Sequence, residues 1–248
     1  MIDSCLHVKD NSLNHLLLIS KKIQSNNIDK ALCMFDNEKN FNDRKIFLNN
    51  CQKTKNLIPV ATIRKTKNLR NEIRNISELG FTFIKFHPRN LNINIGNNFY
   101  IKAFKMIRKT KLNVMWCTFD GWSTKKINEI NQLDFLAKLI NIISHNNILL
   151  MHGGGPNLLK YYEKFRFKEN VYLDLSYTLI HYQKSSVETD MIFLMNKFDK
   201  RLIFGSDFPL FPINKYTKSL NKLITKSKIN KLKIKNLKKD NFLRIINE

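Results

Sequence analysis

Short apolar runs alternate with longer amphipathic stretches along the chain. Eight runs predict buried β-strands, at residues 1–7, 30–36, 57–63, 81–87, 112–118, 146–152, 170–176 and 201–207. The runs are nearly continuous in their apolar character, which is typical of parallel strands that are covered on both faces. Helical spacing of apolar residues predicts helices at 68–79, 99–110 and 133–144, and the lysine-rich segment 220–247 predicts closing helices with a solvated basic face.

Eight strands separated by helices in 248 residues predict an α/β fold, a single (β/α)8 TIM barrel. An open doubly wound sheet is the alternative, but that fold usually has a Gly-rich turn after its first strand, and this sequence lacks one. No Pro/Gly/Ser-rich linker interrupts the pattern. We therefore expect one domain over residues 1–248.

The composition is that of an ordinary globular protein, with 43% hydrophobic and 25% charged residues. No stretch approaches the roughly 18 apolar residues of a membrane helix, and the N-terminus lacks a signal-peptide layout. We expect a cytoplasmic protein with no membrane partner. The four cysteines form no CxxC pair, so free thiols or metal ligands are expected instead of disulfides.

The net charge of +23 favours an anionic partner. Lysine is abundant along the whole chain, however, and no nucleic-acid-binding motif is present. A small anionic substrate is therefore expected, and nucleic acid is not. A homodimer is left open.

Reactive side chains stand at the C-terminal ends of several predicted strands. They are Asp3, Cys5 and His7 on the first strand, Lys85, His87 and Arg89 on the fourth, Cys117 and the following Asp120 on the fifth, His152 on the sixth, and Asp207 on the eighth. In a TIM barrel these ends meet at one mouth, where active sites lie. Alternation along the first strand places Asp3, Cys5 and His7 on one side. We therefore expect one shared functional site.

Several of these segments carry motifs of a known family. They are IDSCLH at 2–7, FIKFHP at 83–88, HGG at 152–154, NVYLDLS at 170–176 and FGSDFP at 204–209. In this order they resemble the amidohydrolase-related family of the amidohydrolase 2 type, and the resemblance spans nearly the whole chain. It implies a TIM-barrel enzyme from a group of metal-dependent hydrolases that also contains decarboxylases and lactonases.

The sequence departs from the family at two positions, where Cys5 and Cys117 replace histidines that bind metal. The resemblance then implies a ligand set of Cys5, His7, Cys117 and Asp207, which suits tetrahedral Zn²⁺. The alternative is that the metal has been lost and that the cysteines fill space as small apolar residues. Both alternatives stay open. The two other cysteines, Cys33 and Cys51, are expected to be structural.

The resemblance also implies roles for the polar residues. Asp207 and His152 are the catalytic candidates, with Asp207 taking a proton from water and His152 acting as general acid or base. Lys85, His87 and Arg89 are the substrate-binding candidates, because cationic side chains hold anionic groups; His87 has the alternative of shaping its loop. The glycines at 153–155 predict a turn before a helix whose N-terminus can bind an anion. His181 is expected on the surface.

Together these features predict a hydrolase that acts on a C–O or C–N bond of a small anionic substrate, such as a lactone, ester or amide. Three alternatives remain: a non-oxidative decarboxylase that uses the same site, a metal-free hydrolase in which Asp207 activates water directly, and a degenerate barrel that binds a ligand without turnover.

Overall fold

The computed structural model describes residues 1–119 and 131–247. Its eight strands are β1 (Ile2–Val8), β2 (Lys30–Phe35), β3 (Leu57–Thr62), β4 (Phe83–Phe86), β5 (Asn113–Cys117), β6 (Ile148–Met151), β7 (Val171–Asp174) and β8 (Leu202–Ile203). They pair in chain order from β1 to β8, and every pair is parallel. All eight predicted strands are confirmed. Seven of them end one to four residues earlier than predicted, so that residues such as His87, His152 and Asp207 follow their strands, whereas β1 ends one residue later, at Val8.

Helices follow the strands around the barrel. They are α1 (Leu13–Gln24), α2 (Phe41–Thr54), α3 (Leu69–Glu78), α4 (Pro88–Leu91), α5 (Asn98–Ile107), α6 (Gln132–Ile142), α7 (Leu158–Phe165), α8 (Thr178–His181), α9 (Ser186–Lys197), α10 (Ile213–Ser227), α11 (Lys231–Lys235) and α12 (Asn241–Asn247). The predicted helices at 68–79, 99–110 and 133–144 correspond to α3, α5 and α6, and the segment 220–247 is helical as expected. In the described part of the chain, no helix is both long enough and apolar enough to cross a membrane.

The segment that follows β8 returns to β1 and brings the two ends of the sheet together. The backbone N–H of Ser4 donates to the Phe204 carbonyl at 3.3 Å, and that of His7 donates to the Phe208 carbonyl at 2.8 Å. Gly205 permits this approach, because a Cβ there would lie only 2.7 Å from the backbone nitrogen of Cys5. The sheet is therefore a barrel, and the predicted TIM-barrel fold is confirmed over the open-sheet alternative.

Two buried apolar layers support the barrel. One fills its interior and includes Ile2, Cys5, Met34 and Met115. The larger layer lies between the strands and the helices, with Trp116 among its members. Cys33 and Cys51 belong to this outer layer, where their thiols contact each other. Their burial in this apolar layer agrees with the structural role expected for both cysteines.

The pairing of β1 with β2 shifts by one residue between Asp3 and Leu6, which is a β-bulge. As a result Ile2 and Cys5, three positions apart, both face the barrel interior. The strict alternation predicted for Asp3, Cys5 and His7 is therefore interrupted within β1. Cys5 and His7, which lie C-terminal to Asp3, do reach one cluster at the mouth.

Candidate active site

Cys5, His7 and Asp207 form a compact cluster at the C-terminal mouth of the barrel. The Cys5 thiol donates to Asp207 Oδ1 at 3.3 Å, and Cys5 Sγ lies 3.7 Å from His7 Nε2. One potential ligand atom from each residue lies within 4.8 Å of the other two. β1 supplies the first two residues and the turn after β8 supplies the third, so closure of the barrel assembles this cluster.

Asp207 has a left-handed backbone conformation, with φ of 54°. Its N–H donates to the Cys5 carbonyl at 2.9 Å, and its own carbonyl accepts from the N–H of Leu210 at 3.0 Å. Non-glycine residues rarely adopt positive φ, and such residues concentrate at functional sites. The two backbone hydrogen bonds hold the carboxylate against the Cys5 thiol.

Asp36, the residue directly after β2, orients the imidazole of His7. His7 Nδ1 and Asp36 Oδ1 are 2.6 Å apart, which leaves the Nε2 lone pair directed at the cluster. Burial and the nearby Lys85 ammonium lower the pKa of His7, although Asp36 opposes them. The ring is therefore neutral near pH 7, as a metal ligand must be. The sequence analysis missed Asp36, although it directly follows β2 and so carries the same signal as the residues that were identified.

Lys85 is buried beside this cluster, and its Nζ lies 3.0 Å from His7 Nε2. Burial raises the pKa of the Cys5 thiol well above its usual range, the Asp207 carboxylate raises it further, and Lys85 only partly opposes them. In this state Cys5 is protonated and donates its hydrogen to Asp207. A positive charge at the cluster would favour the thiolate instead.

The donors of the cluster fit a zinc ion chemically. Thiolate, imidazole and carboxylate are the three side-chain types that Zn²⁺ takes, and three protein ligands are the number typical of a catalytic zinc. Metal-bound histidines usually make a hydrogen bond through their second ring nitrogen, and the hydrogen bond from His7 Nδ1 to Asp36 is of this kind. The Lys85 ammonium, however, contacts the same nitrogen, His7 Nε2. A zinc ion can bind that nitrogen only when the contact with Lys85 is broken.

Cys117 does not belong to that group of atoms. It is buried at the end of β5, where burial raises the pKa of its thiol but the nearby imidazoles of His87 and His152 outweigh burial and hold the pKa well below the usual range. His152 follows β6 with φ of 66°, and its Nδ1 lies 2.9 Å from the Ser176 carbonyl oxygen. The structure therefore brings together three of the four predicted ligands and places the fourth with two histidines.

A buried polar network lies below the two clusters. Asp174 accepts hydrogen bonds from the hydroxyls of Ser4 and Ser176 and, at 3.4 Å, from the backbone N–H of His152. Burial raises the pKa of Asp174 above its usual range. The network ties β1, β7 and the residue after β6 together, so it determines where His152 stands. Asp174 lies in a motif that the sequence analysis quoted, but it received no role there.

A cavity of about 250 Å³ opens beside His7. Its wall includes the predicted substrate-binding residues Lys85 and His87, and also Arg64 and Lys65, which the sequence analysis missed. The cavity is below the 300–1,000 Å³ of drug-sized sites, so it suits a small molecule. Lys65 and Lys85 on its wall favour an anionic one.

Two acidic residues also line this cavity, and both have cationic or imidazole partners. Asp36 contacts His7 as described, and Glu38 lies 2.5 Å from the fully buried guanidinium of Arg44. Glu72 contacts the same guanidinium at 2.9 Å and also contacts Arg64, 3.2 Å away. These ion pairs hold Arg64 at the cavity wall and leave the lysines to supply the excess positive charge.

The remaining candidates lie farther from the cluster. Arg89 is exposed on α4, and its guanidinium carbon is 5.3 Å from the centre of the Phe119 ring. His181 is exposed, as expected, and stacks on Tyr177 with ring centres 4.6 Å apart. Asp120 lies outside the described residues.

The glycine segment after β6 forms the predicted turn. The residues at 153, 154 and 155 all have positive φ. At Gly154 a Cβ would also lie 2.2 Å from the ring of Tyr161. Conformation and space therefore both require glycine there.

Comparison of the sequence with protein-family models and with curated proteins gives no match. The fold does match solved structures. One is an uncharacterized TIM-barrel protein from Bordetella bronchiseptica, with 15% identity and a TM-score of 0.77 over 100% of this chain and 98% of that chain. Another is a probable 2-pyrone-4,6-dicarboxylic acid hydrolase from Acinetobacter baumannii, with 15% identity and a TM-score of 0.68 over 100% and 99%.

A third is an amidohydrolase 2 from Bifidobacterium longum subsp. infantis, with 12% identity and a TM-score of 0.64 over 99% of this chain and 98% of that chain. This third neighbour carries the family name that the sequence motifs suggested. At this level of identity the likeness shows the shared fold.

Proposed function

We propose that this chain is a hydrolase of the amidohydrolase type that cleaves a C–O or C–N bond in a small anionic substrate. The observation that carries the proposal is the meeting of Cys5, His7 and Asp207 beside a cavity with a basic wall. Two of the structural neighbours named above, a probable hydrolase and an amidohydrolase, are consistent with it.

Each catalytic or binding role follows from the position of the side chain in the site. Asp207 is half-buried at the mouth and takes a proton from the attacking water. His152 is buried, has its Nδ1 engaged by the Ser176 carbonyl, and supplies a proton to the leaving group from its other nitrogen. Lys85 and Lys65, on the cavity wall, hold the anionic part of the substrate. The role predicted for Arg89 stays a prediction, since its side chain is exposed.

We further propose that Cys5, His7 and Asp207 hold a Zn²⁺ ion. A bound zinc lowers the pKa of water to about 7 and polarises a carbonyl group. Cys117 is left out of this ligand set because its thiol does not belong to the group of ligand atoms that Cys5, His7 and Asp207 form within 4.8 Å of one another. A three-ligand set leaves room for water or substrate, which catalytic zinc sites require.

Zinc content after purification under reducing conditions tests this assignment without any substrate. We expect stoichiometric zinc in the wild type and in Cys33→Ala, whose thiol is equally buried but lies in the outer apolar layer. We expect Cys5→Ala to lose the ion. Equal zinc content in the two variants would contradict the assignment.

A metal-free hydrolase is the second candidate, and the Lys85 ammonium beside His7 Nε2 favours it. In that case a chelator leaves turnover unchanged, whereas Asp207→Asn abolishes it. A panel of carboxylate-bearing lactones, esters and amides distinguishes the two hydrolase candidates from a decarboxylase and from a ligand-binding barrel. CO₂ release without hydrolysis would indicate a decarboxylase, and binding without turnover would indicate a ligand-binding barrel.

A further inference from the structure

A basic groove runs along the outside of the barrel, away from the candidate active site. It has a volume of about 1060 Å³ and lies between the neighbouring helices α3 and α5. Its lining reaches Lys109 and Thr110, which precede β5, at the end of the barrel opposite the mouth. The residues described along it include none of those that line the cavity beside His7. The proposed hydrolase mechanism therefore leaves this surface unused.

Positive charge is concentrated in this groove well beyond the average of the chain. Six of the eleven described residues that line it are arginine or lysine, whereas 43 of all 248 residues are. The side chains of all six are exposed, and they belong to Arg70, Arg74, Lys102, Lys105, Arg108 and Lys109. The general abundance of lysine along the chain therefore does not account for this surface.

Helical spacing aligns these charges in two rows. Arg70 and Arg74 are four residues apart on α3, and Lys102 and Lys105 are three apart on α5, so each pair shares one face of its helix. Within the described residues, Arg74 is the one member of the six with a carboxylate partner, Glu78 at 3.7 Å. Like charges at this spacing repel each other and weaken a helix. An anionic partner that neutralises the two rows would therefore be bound favourably.

Apolar side chains also line the groove. Ile73 on α3 is buried, and Met106 on α5 is partly exposed. Methionine is flexible and polarisable, which suits a surface that binds a partner. A groove with an apolar lining is the usual site for the apolar face of an added amphipathic helix. The surface therefore suits a partner that carries both apolar and anionic groups.

The same features favour an acidic protein over other anionic partners. None of the described lining residues is aromatic, so they offer no stacking surface for the bases of a single-stranded nucleic acid. A second copy of this chain is itself strongly positive, with 43 basic and 20 acidic residues, so its charge opposes association. An acidic protein segment offers the complementary charge and can also supply apolar side chains.

We propose that the groove between α3 and α5 is a docking site for an acidic amphipathic helix of another protein. The carboxylates of the partner meet the two rows of cations, and its apolar face lies against Ile73 and Met106. Burial of apolar surface supplies affinity, and the complementary charges select the partner and speed its encounter. The inference is independent of the proposed hydrolase function, because the groove and the active-site cavity have different linings.

The test measures binding of fluorescein-labelled peptides to the full chain by fluorescence anisotropy. The probe is a helix of glutamate and leucine with its leucines on one face, about five turns long so that it is helical on its own. A peptide of the same composition with its leucines dispersed around the helix is the peptide control. The groove variant is Lys102→Glu/Lys105→Glu on α5. The matched control is Lys45→Glu/Lys53→Glu, which places the same change of charge on two exposed lysines of α2.

We expect the amphipathic peptide to bind the wild type and the α2 variant alike, and the α5 variant at least about tenfold more weakly, because attractive charge pairs become repulsive. Arg70→Glu on α3 is a second variant, which should weaken binding from the facing row. The peptide with dispersed leucines should bind the wild type more weakly than the amphipathic one, because it has no apolar face for Ile73 and Met106. Circular dichroism verifies that each variant is folded.

Several results would overturn the proposal. Equal weakening in the α5 and α2 variants would show attraction to the net charge alone, and equal binding of the two peptides would show that the apolar lining takes no part. Absence of peptide binding to the wild type would exclude the docking site. Tighter binding of a single-stranded oligodeoxynucleotide or of phosphatidylglycerol vesicles, lost in the α5 variant, would assign the groove to nucleic acid or to a lipid surface instead of an acidic protein.

Discussion

A methyl group at Gly205 would test whether the seam between β1 and the segment after β8 holds the barrel and the site together. The added Cβ would lie 2.7 Å from the Cys5 backbone nitrogen, 2.8 Å from Ser4 Oγ and 2.9 Å from Cys5 Cβ. Ser4 Oγ can turn away only by giving up its hydrogen bond to Asp174, and the two Cys5 atoms move only with the strand. The backbone has to move by about 0.7 Å to reach the 3.4 Å of an ordinary contact.

The magnitude follows from two losses. Overpacking of this kind costs about 1–3 kcal/mol in free energy of unfolding. A shift of the strand also weakens the 2.9 Å bond from the Asp207 N–H to the Cys5 carbonyl, and a lost hydrogen bond is worth about 1 kcal/mol. We expect Gly205→Ala to be destabilised by about 2–4 kcal/mol, which lowers the urea midpoint by about 1 M for an m-value near 3 kcal/mol/M.

The assay is urea unfolding, paired with zinc affinity because the seam also carries the 3.3 Å contact between Cys5 and Asp207. Gly80→Ala is the matched control. Gly80 has φ of 92° and no neighbour within 4 Å of an added Cβ, so only backbone strain of about 1 kcal/mol is expected there. The reasoning is refuted if Gly205→Ala is no less stable than Gly80→Ala, or if it is destabilised while zinc binds as in the wild type.

Three further predictions concern charged groups. Replacing Lys85 with Met removes the ammonium that competes for His7 Nε2, so zinc affinity measured by calorimetry should rise about tenfold or more, which is about 1.4 kcal/mol. Arg44→Met leaves the carboxylates of Glu38 and Glu72 buried beside its site, so the free energy of unfolding in urea should fall by about 3–5 kcal/mol. Burial raises the pKa of Glu72, but the two arginines outweigh burial and hold the pKa below its ordinary value of 4.5. Glu72 therefore adds stability at neutral pH that is lost as the pH falls below about 4.5, and the difference in free energy of unfolding between wild type and Glu72→Gln should shrink there.

A different outcome would contradict each of these three predictions. Unchanged or weaker zinc binding in Lys85→Met would mean that the ammonium does not compete for the imidazole. A loss under 1 kcal/mol in Arg44→Met would mean that water reaches the two carboxylates. A constant difference between wild type and Glu72→Gln from pH 7 to pH 3 would show that this carboxyl titrates alike in the folded and unfolded chain.

The architecture could be predicted because local pattern carries it. Apolar runs such as 57–63 and 146–152 have no stable place except between two covering layers, and eight of them with helices between them close into a barrel. The position of Cys5, His7 and Asp207 at one mouth followed from the fold, since the C-terminal ends of parallel strands share one edge. Chain order and strand ends therefore determine the neighbourhood of a residue.

Partners within that neighbourhood could not be predicted in the same way. Cys117 was grouped with the zinc ligands by analogy, yet its thiol lies outside the cluster that Cys5, His7 and Asp207 form. The bulge in β1 interrupts the alternation expected from Asp3 onward. Asp36 and Arg64 were missed, although both stand just beyond a strand, and each contributes to the site through a side-chain contact with another element.

The sequence by itself determined which residues lie at the mouth of the barrel, because hydrophobic periodicity sets the strands and parallel pairing sets their common edge. Only the tertiary structure decided which of those side chains touch, because contacts of 3–4 Å depend on a one-residue register shift, on the left-handed turns at His152 and Asp207, and on the close approach at Gly205. Those features arise from packing between segments up to about 200 residues apart in sequence, as Cys5 and Asp207 are, and no local pattern encodes a distance across the barrel.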